Sequence, residues 1–287
     1  MQNIIRRPHW LNKKINLSKL SSMQALLKGL NLNTVCESAA CPNIGECFSR
    51  GEAAFMILGE VCSRNCKFCN VEPGKPEAVD YDEPERVAEA VKKLNLKHAV
   101  ITSVTRDDLS DGGAEVFYET ILAVKNEQPE AAVEVLIPDF KADKGSIKRV
   151  VEAKPDIIAH NVETVPRLYP EVRPQADYKR SLLVLKIIRE LNTEIYTKSG
   201  LMLGLGEEGE EVLNVFEDLR KAGCDFLSLG QYLRPSLKHF PVKEYIEPEK
   251  FEYYKKRALD SGFISVQSAP YVRSSYRAEE YLMTDNI

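Results

Sequence analysis

Short apolar runs recur along the chain and predict the strands of a sheet. Each run is rich in β-branched and other large apolar residues. Runs of this kind are typical of strands that are buried on both faces, as in a parallel sheet. Six of them occur, at residues 53–59, 98–104, 131–139, 156–163, 194–205 and 225–233.

Helical patterns fill the intervals between these runs. In residues 83–95 the apolar positions recur at helical spacing and share one face: Val87, Ala90, Val91 and Leu94. Further helices are predicted at residues 114–126, 145–153, 178–191 and 210–223. Strands that alternate with helices predict a parallel sheet, and no dinucleotide-binding fingerprint follows the first strand. We therefore predict an α/β fold, a partial (β/α)6 barrel of the TIM type.

The alternating pattern leaves an extension at each end of the chain. Residues 251–262 are predicted to form a further helix and residues 263–272 a last strand or extended segment. The predicted layout is an N-terminal extension over residues 1–50, the barrel over residues 51–245 and a C-terminal extension over residues 246–287. In barrels of this kind the functional side chains lie on loops at the carboxyl ends of the strands.

Composition narrows the class of protein. The 287 residues carry a net charge of −4, which argues against a dedicated nucleic-acid binder. No apolar stretch approaches the roughly 18 residues of a membrane-spanning helix. The opening residues lack the unbroken apolar core of a signal peptide. We expect a soluble protein of the reducing cytoplasm, in which closely spaced cysteines indicate metal binding or catalysis.

Six of the seven cysteines form two triplets, which are the main chemical signal of the sequence. The second triplet, Cys62, Cys66 and Cys69, has the spacing C-x3-C-x2-C and directly follows the first predicted strand. Three thiolates can hold three irons of a four-iron cluster and leave the fourth iron open for chemistry. The alternative is a zinc site, which would need a fourth ligand that is not evident nearby. Since three is an odd number, a disulfide explains the triplet less well.

An open iron can chelate S-adenosylmethionine through its amino and carboxylate groups, and three segments could serve this cofactor. Phe68 could pack on the adenine, or only beneath the loop. Gly112 and Gly113 would let the main chain approach the amino group, although an Asp/Gly-rich loop is also ordinary turn chemistry. Asn161 and Glu163 offer polar groups at the end of the fourth predicted strand.

The first triplet, Cys36, Cys41 and Cys47, lies in a stretch that is predicted to be loop-like. A zinc site or a structural loop would explain it alone, but two triplets so close together indicate two clusters. The last iron of the cluster on this first triplet would then need a ligand other than cysteine. Cys224 remains, and its place at a predicted helix-to-strand junction indicates a small buried residue.

Several segments of the chain resemble lipoyl synthases. The C-x3-C-x2-C loop alone is typical of the broad radical S-adenosylmethionine superfamily. The preceding C-x4-C-x5-C triplet together with the sequence RSSY near the C-terminus narrows the resemblance to this one family. The similar segments are residues 35–47, 53–71, 104–114, 160–174, 200–207 and 272–276.

The resemblance implies an enzyme with two [4Fe-4S] clusters. The second triplet would hold the cluster that generates the radical, and the first triplet would hold an auxiliary cluster that gives up its sulfur. A serine of the RSSY segment would complete the auxiliary cluster, and we favour Ser275 over Ser274. An oxygen ligand is a poor match for a sulfur-rich cluster, which is useful if the cluster must come apart.

The resemblance also implies the substrate and the partners. The substrate would be an octanoyl chain that is amide-linked to a lysine of a lipoyl carrier domain. Such carriers are the E2 subunits of 2-oxoacid dehydrogenases and the glycine cleavage H protein. Hydrogen would be removed first at C6 and then at C8, each carbon would take one sulfur, and flavodoxin or ferredoxin would supply electrons. Arg167, Arg173 and Arg180 could steer an acidic carrier or line the entrance, or could form an ordinary solvated face.

Two other classes of protein compete with this interpretation. A radical S-adenosylmethionine enzyme that methylthiolates RNA also carries two clusters, but the acidic charge balance and the lack of an added basic domain count against it. A non-enzymatic electron carrier typically has four-cysteine runs in a compact chain. Such a carrier has no need for six strand–helix units.

Overall fold

The computed structural model describes residues 6–12 and 20–286, and only the backbone of residues 284–286. Its central feature is an eight-stranded sheet with the order β1-β2-β5-β6-β7-β8-β9-β10. The strands from β2 to β10 are parallel, whereas β1 pairs antiparallel with β2, and β3 and β4 form a separate parallel pair. The strands are β1 (Asn33–Thr34), β2 (Ala54–Ile57), β3 (Val61–Cys62), β4 (Glu72–Pro73), β5 (His98–Ser103), β6 (Ala132–Leu136), β7 (Ile157–Ala159), β8 (Tyr196–Leu203), β9 (Phe226–Gln231) and β10 (Ser265–Ser268).

Helices connect the successive parallel strands. After β2, each parallel strand is reached through one long helix, in the order α4, α5, α6, α8, α9 and α10. Shorter helices lie before β2 and in the connection that follows β7. The helices are α1 (Leu20–Gly29), α2 (Val35–Ser38), α3 (Ile44–Ser49), α4 (Glu83–Lys93), α5 (Ala114–Glu127), α6 (Lys144–Glu152), α7 (Tyr169–Val172), α8 (Tyr178–Leu191), α9 (Gly209–Lys221) and α10 (Pro248–Asp260). The 3-10 turns are His9–Leu11, Phe140–Ala142, Pro166–Leu168 and Ala278–Asn286.

The predicted α/β architecture is confirmed. Each of the six apolar runs contains a strand, and each of the predicted helices is present, with limits that differ from the prediction by at most three residues. In the part of the chain that the structure describes, β1 and β10 are the two edges of the sheet and do not pair with each other, so the barrel is partial. The predicted last strand exists as β10 and adds a seventh parallel strand.

The prediction of a loop-like stretch around the first triplet was wrong. Cys36 lies in α2 and Cys47 lies in α3. The N-terminus of α2 is capped by Thr34, whose Oγ1 accepts a hydrogen bond from Glu37 N at 3.3 Å and lies 3.2 Å from Glu37 Oε2. The first contact satisfies one of the unpaired amides of the helix start, and in the second the Thr34 hydroxyl donates to the Glu37 carboxylate. This local gain favours a helix despite the loop-forming residues nearby.

Apolar side chains from the sheet and the surrounding helices form the core. In the first half of the sheet, Ile101 and Val133 are fully buried against Phe117 of α5. In the second half, Leu229 packs with Phe216 of α9 in a second buried cluster. Burial of apolar surface on both faces explains why the strands are apolar without alternation.

The two extensions belong to the same sheet as the barrel strands. The N-terminal extension supplies β1, and the C-terminal extension supplies β10, so the division into residues 1–50, 51–245 and 246–287 stays a prediction. Cys224 is fully buried between α9 and β9, as predicted. Among the described helices, none has the length and apolar character that crossing a membrane requires.

Candidate active site

The second triplet lies in the loop that follows β2, at the carboxyl edge of the parallel sheet. Its three cysteines carry free thiols. Cys62 Sγ accepts hydrogen bonds from the main-chain N–H groups of Arg64 at 3.4 Å and Thr105 at 3.3 Å. Because Thr105 follows β5, loops from two neighbouring strands meet at this sulfur. Amide donors that point at sulfur stabilise a ligating thiolate.

Hydrogen bonds to main-chain atoms connect residues 67–69 of this loop to distant parts of the chain. Lys67 N donates to Val172 O at 2.9 Å, and Phe240 N donates to Lys67 O at 2.7 Å. His239 Nε2 lies 3.0 Å from the carbonyl oxygen of Cys69. The connections that follow β7 and β9 therefore hold the cysteine loop from the far side of the sheet.

A buried ion-pair network anchors the loop from beneath. The Arg64 guanidinium bonds Asp107 at 2.6 and 2.8 Å and Asp139 at 2.7 and 2.9 Å. Asp139 also accepts a hydrogen bond from Arg180 Nε at 2.8 Å. Burial alone would raise the pKa of Asp139, but the hydrogen bonds and charge of Arg64 hold it well below its ordinary value. Asp139 thus stays ionised and holds the Arg64 guanidinium. Because Arg64 lies between Cys62 and Cys66 in the sequence, this contact fixes the position of the cysteine loop.

The first triplet is assembled by two short helices. Cys41 lies between α2 and α3, and its N–H donates to Cys36 O at 2.9 Å. Cys47 N donates to Asn43 O at 2.9 Å in the first turn of α3. The three thiols lie close enough for their charges to interact, since thiolates at Cys41 and Cys47 would each raise the pKa of Cys36.

Burial disfavours free thiolates in both triplets. It raises the pKa of Cys36, Cys47 and Cys69 to about 12. The pKa of Cys66 is also raised by burial, although the charge of Arg173 opposes the shift. Thiolates are the ligating form, so a metal must displace these protons, and binding then couples to the pH and to folding.

The C-terminal segment 272–276 carries the RSSY sequence and lies against α3. Just before it, the Tyr271 carbonyl oxygen accepts a hydrogen bond from Asn43 Nδ2 at 2.7 Å. At its end, the Tyr276 hydroxyl donates to Glu46 Oε1 at 2.8 Å. Both partners belong to the turn and helix that carry the first triplet, so the segment reaches that triplet from the opposite end of the chain.

The two serines of this segment have different surroundings. Ser274 Oγ donates to Asn161 Oδ1 at 3.3 Å. For Ser275, the hydroxyl makes no hydrogen bond to any residue that the structure describes. Ser274 thus contacts a residue that the sequence assigns to the cofactor, whereas the oxygen of Ser275 remains available as a ligand.

Asn161 and Glu163 lie together at the carboxyl end of β7. Asn161 Nδ2 donates to Glu163 Oε1 at 3.0 Å, and Gly200 on β8 leaves the space that the Asn161 side chain fills. Burial raises the pKa of Glu163, and the nearby Arg173 charge opposes this shift. Glu163 has a φ of 65°, which is uncommon for a residue with a side chain and is often found at functional sites.

Gly112 and Gly113 meet a packing requirement. Both have positive φ, at 64° and 92°. A Cβ on Gly113 would lie 2.3 Å from Leu58 Cδ1, and one on Gly112 would lie 2.8 Å from Phe140 Cδ1. The side chains of Leu58 and Phe140 therefore leave room only for glycine at these two positions. The predicted close approach of the main chain to a cofactor stays a prediction. Phe68 is partly buried against the second apolar cluster, which is compatible with both of its predicted roles.

The three arginines that were considered for a carrier surface have separate surroundings. Arg167 is exposed and forms an ion pair with Glu211 at 2.8 Å, which agrees with the alternative that it belongs to an ordinary solvated face. Arg180 is engaged in the network beneath the second triplet. Arg173 is partly buried, and its Nη1 donates to the Asn161 carbonyl oxygen at 3.0 Å. Arg173 therefore supports the strand end that carries Asn161.

Sequence reasoning missed the charged residues that support the loop. A signal existed, because Arg64 lies inside the C-x3-C-x2-C run, Asp107 follows the second predicted strand and Asp139 ends the third. Carboxyl ends of parallel strands meet at one edge, which could have placed these three side chains together. His160 was also missed. It is buried after β7, and its Nδ1 bonds the Ile137 carbonyl oxygen at 2.9 Å.

The donor sets fit iron–sulfur clusters. Each triplet offers three free thiols, and soft thiolate ligands are the ordinary ligands of iron–sulfur clusters. Within residues 6–12 and 20–286, no three His, Cys, Asp or Glu side chains converge as a single metal ion requires. A four-iron cluster is larger than one ion, and its three cysteine ligands bind three different irons.

Comparison with known sequences identifies close relatives. The Radical SAM superfamily matches residues 56–219. The lipoyl synthase of Caldicellulosiruptor saccharolyticus is 57% identical over 276 residues, which are 96% of this chain and 97% of that protein. The lipoyl synthase of Alkaliphilus metalliredigens is 57% identical over 281 residues, which are 98% of this chain and 97% of that protein. Similarity over nearly the whole chain favours this family over the RNA-modifying and electron-carrier alternatives.

Solved structures share the fold at low sequence identity. Methylornithine synthase aligns with a TM-score of 0.56 and 13% identity over 89% of this chain and 82% of that one. Streptococcus suis SuiB bound to S-adenosylmethionine aligns with a TM-score of 0.60 and 11% identity over 82% of this chain and 56% of that one. These similarities support the partial-barrel architecture.

The Arg64 network generates a testable expectation. Arg64→Gln should lower the free energy of unfolding by about 3–5 kcal/mol, because it leaves buried Asp139 without its main counter-charge. The matched control is Arg149→Gln, which removes a bidentate pair with Glu115 on the exposed helix surface and should leave the free energy of unfolding nearly unchanged, because solvent screens such a pair. Urea unfolding of anaerobic protein measures both values. Equal losses in the two variants would contradict the anchoring role.

Proposed function

Since the chain belongs to the lipoyl synthase family of the radical S-adenosylmethionine superfamily, we propose that it inserts two sulfur atoms into an octanoyl chain. The sites of insertion are C6 and C8, and the octanoyl chain is amide-linked to a lysine of a lipoyl carrier domain. The observation that carries the proposal is the C-terminal segment 272–276, which contacts Asn161 just beyond the carboxyl end of β7 and Glu46 beside Cys47 of the first triplet. A sulfur source and a radical source would then share one edge of the sheet.

The superfamily supplies a [4Fe-4S] cluster and S-adenosylmethionine, which together provide the one-electron chemistry that removes hydrogen from an unactivated carbon. The protein contributes position and shielding. The methylene groups of an octanoyl chain have no acidic proton, so a general base such as His160 cannot activate them. The partly buried thiols of the second triplet and the network beneath them would instead hold the cluster at the strand ends.

We assign the second triplet to the radical-generating cluster and the first triplet to a second, auxiliary cluster. The main-chain amides that donate to Cys62 Sγ support the first assignment. The interaction among the three thiols carried by α2, α3 and the turn between them supports the second. Asn161 and Glu163 would bind the polar groups of S-adenosylmethionine, with Phe68 near the adenine and the main chain of residues 112–113 near the amino group.

Ser275 is the proposed last ligand of the auxiliary cluster. The Ser274 hydroxyl is engaged with Asn161, whereas the Ser275 hydroxyl has no such bond among the described residues. An oxygen ligand holds iron of a sulfur-rich cluster less well than a thiolate does. A cluster with one weak ligand is suited to donate its own sulfide and to be rebuilt afterwards.

The proposal extends to organisation, partners and compartment. Residues 1–50 supply the auxiliary ligands, residues 51–245 the radical site, and residues 246–287 the serine segment. The carriers would be octanoylated E2 subunits of 2-oxoacid dehydrogenases and the glycine cleavage H protein, with flavodoxin or ferredoxin as the electron donor. We assign the chain to the cytoplasm, because free thiols and exposed clusters persist in a reducing compartment.

The reaction itself can be followed by mass. Anaerobically reconstituted protein, given S-adenosylmethionine, a reductant and an octanoyl-lysine peptide, should yield a peptide in which two sulfurs replace two hydrogens. Mass spectrometry of the peptide measures the gain. An unchanged peptide from protein that contains both clusters would reject the proposed reaction.

The two triplets should separate by mutation. Cys36→Ala should lose the sulfur-containing product while S-adenosylmethionine is still cleaved to 5′-deoxyadenosine, because only the proposed sulfur donor is lost. Cys66→Ala should lose both products. Chromatographic quantification of 5′-deoxyadenosine alongside the peptide mass distinguishes the two outcomes. Full product from Cys36→Ala would show that the first triplet is not the sulfur donor.

The two serines provide a matched pair. Ser275→Ala should lower the iron content of the auxiliary cluster and the product yield strongly, since a ligand is removed. Ser274→Ala removes one hydroxyl hydrogen bond, worth about 1 kcal/mol, and should retain most of the iron. Iron and sulfide analysis after anaerobic reconstitution measures both. The reverse order of the two variants would reassign the ligand to Ser274.

A further inference from the structure

Lys198 is a fully buried cation that the proposed chemistry does not use. It lies on β8, and its side chain is 0% exposed. Its Nζ donates to Glu134 Oε1 at 2.9 Å, to Glu134 Oε2 at 3.1 Å and to the Ser274 carbonyl oxygen at 2.7 Å. An ammonium group has three N–H donors, and these three contacts account for all of them. The Tyr281 ring lies 3.9 Å from Nζ and covers it.

The partner carboxylate is equally enclosed. Glu134 lies on β6 with no exposure, and its Oε2 is also 3.3 Å from His98 Nε2. A buried ion pair is weak support for stability, because the desolvation of two charges offsets most of their attraction. Apolar residues of similar volume would fill this position without that cost, so the pair calls for another explanation.

The third contact of Lys198 indicates what the pair positions. The Ser274 carbonyl and the Ser275 N–H belong to one planar peptide group. A hydrogen bond to that carbonyl therefore fixes the plane from which Ser275 projects. The neighbouring contacts fix the flanks of the same peptide: Ser274 Oγ bonds Asn161, and the Tyr276 hydroxyl bonds Glu46.

We propose that Lys198, held in place by Glu134, is a positioning residue that orients the Ser274–Ser275 peptide so that Ser275 completes the site of the first triplet. The inference rests on the proposed function insofar as Ser275 is the ligand of an auxiliary cluster. It adds that the barrel interior, through β6 and β8, determines the geometry of a cluster whose cysteines come from the N-terminal extension.

The test uses a double variant that separates positioning from burial of charge. Lys198→Met alone leaves the Glu134 carboxylate buried without its lysine and can destabilise the whole chain. Lys198→Met combined with Glu134→Gln removes both charges, so no buried charge is left without its partner and the fold should be retained, while the Ser274 carbonyl oxygen still lacks its donor. Lys125→Met is the matched control, because Lys125 Nζ also donates to a main-chain carbonyl, that of Lys154, but on the outer surface.

The first measurement needs no cluster. Hydrogen exchange of metal-free full-length protein reports on the Tyr276 amide, which donates to the Arg273 carbonyl oxygen at 3.0 Å. In the double variant this amide should exchange at least about tenfold faster, as expected for loss of a hydrogen bond to a charged group. Core amides of β5, the urea midpoint and the Lys125→Met control should match the parent chain.

The second measurement follows the clusters after anaerobic reconstitution. The double variant should retain about half of the iron and sulfide of the parent chain, with the Mössbauer signal of the auxiliary cluster reduced. A folded double variant with parent-like exchange at residues 272–276 would overturn the proposal, and so would faster exchange with a fully occupied auxiliary cluster. A parent chain that binds only one cluster would instead reject the proposed function, and with it the cluster role of Lys198.

Discussion

The geometry at the carboxyl edge of the sheet depends on one buried carboxylate, Asp139. It is 2% exposed at the end of β6 and accepts hydrogen bonds from Arg64 and Arg180. A buried carboxylate is costly unless it is paired, so Asp139 requires the Arg64 guanidinium to stay beside it. Since Arg64 lies between Cys62 and Cys66, its pairing with Asp139 also restricts where the cysteine loop can lie. The same guanidinium also bonds Asp107, which ties the loops after β2, β5 and β6 together.

A second constraint comes from the C-terminal segment 272–276. It crosses from the open edge of the partial barrel to α3 and contacts both sides, through Asn161 and Glu46. The two cysteine triplets are close in the sequence, and this segment from the other end of the chain connects their surroundings. A reaction that needs a radical and then a sulfur atom at the same carbon requires two such sources close together, which this arrangement supports.

The sequence predicted the fold well where a local pattern reflects burial. Apolar runs become strands such as β5, because a strand covered on both faces must be apolar throughout its length. The sequence also pointed to Gly112 and Gly113, as positions where the main chain could approach a cofactor. The structure gives a different reason for glycine there, because a Cβ atom would collide with the side chains of Leu58 and Phe140. The helices around the first triplet were missed, since their stability comes from a cap at Thr34 and from packing on the sheet, and not from a long apolar repeat.

The cysteine spacing and the strand–helix alternation could be recognised in the sequence, because each is a local pattern with a direct chemical or packing meaning. The RSSY segment acquired its meaning only from the resemblance to lipoyl synthases, since its composition alone indicates a polar turn. The roles of Arg64, Arg173 and Lys198 were decided by the tertiary structure. A charged residue has the same appearance in a sequence whether it is solvated or buried, and only the fold brings Lys198 to Glu134 and to the Ser274 carbonyl oxygen. The contribution of such a charge to stability depends on its desolvation and on partners far along the chain, and a local sequence pattern predicts neither of these.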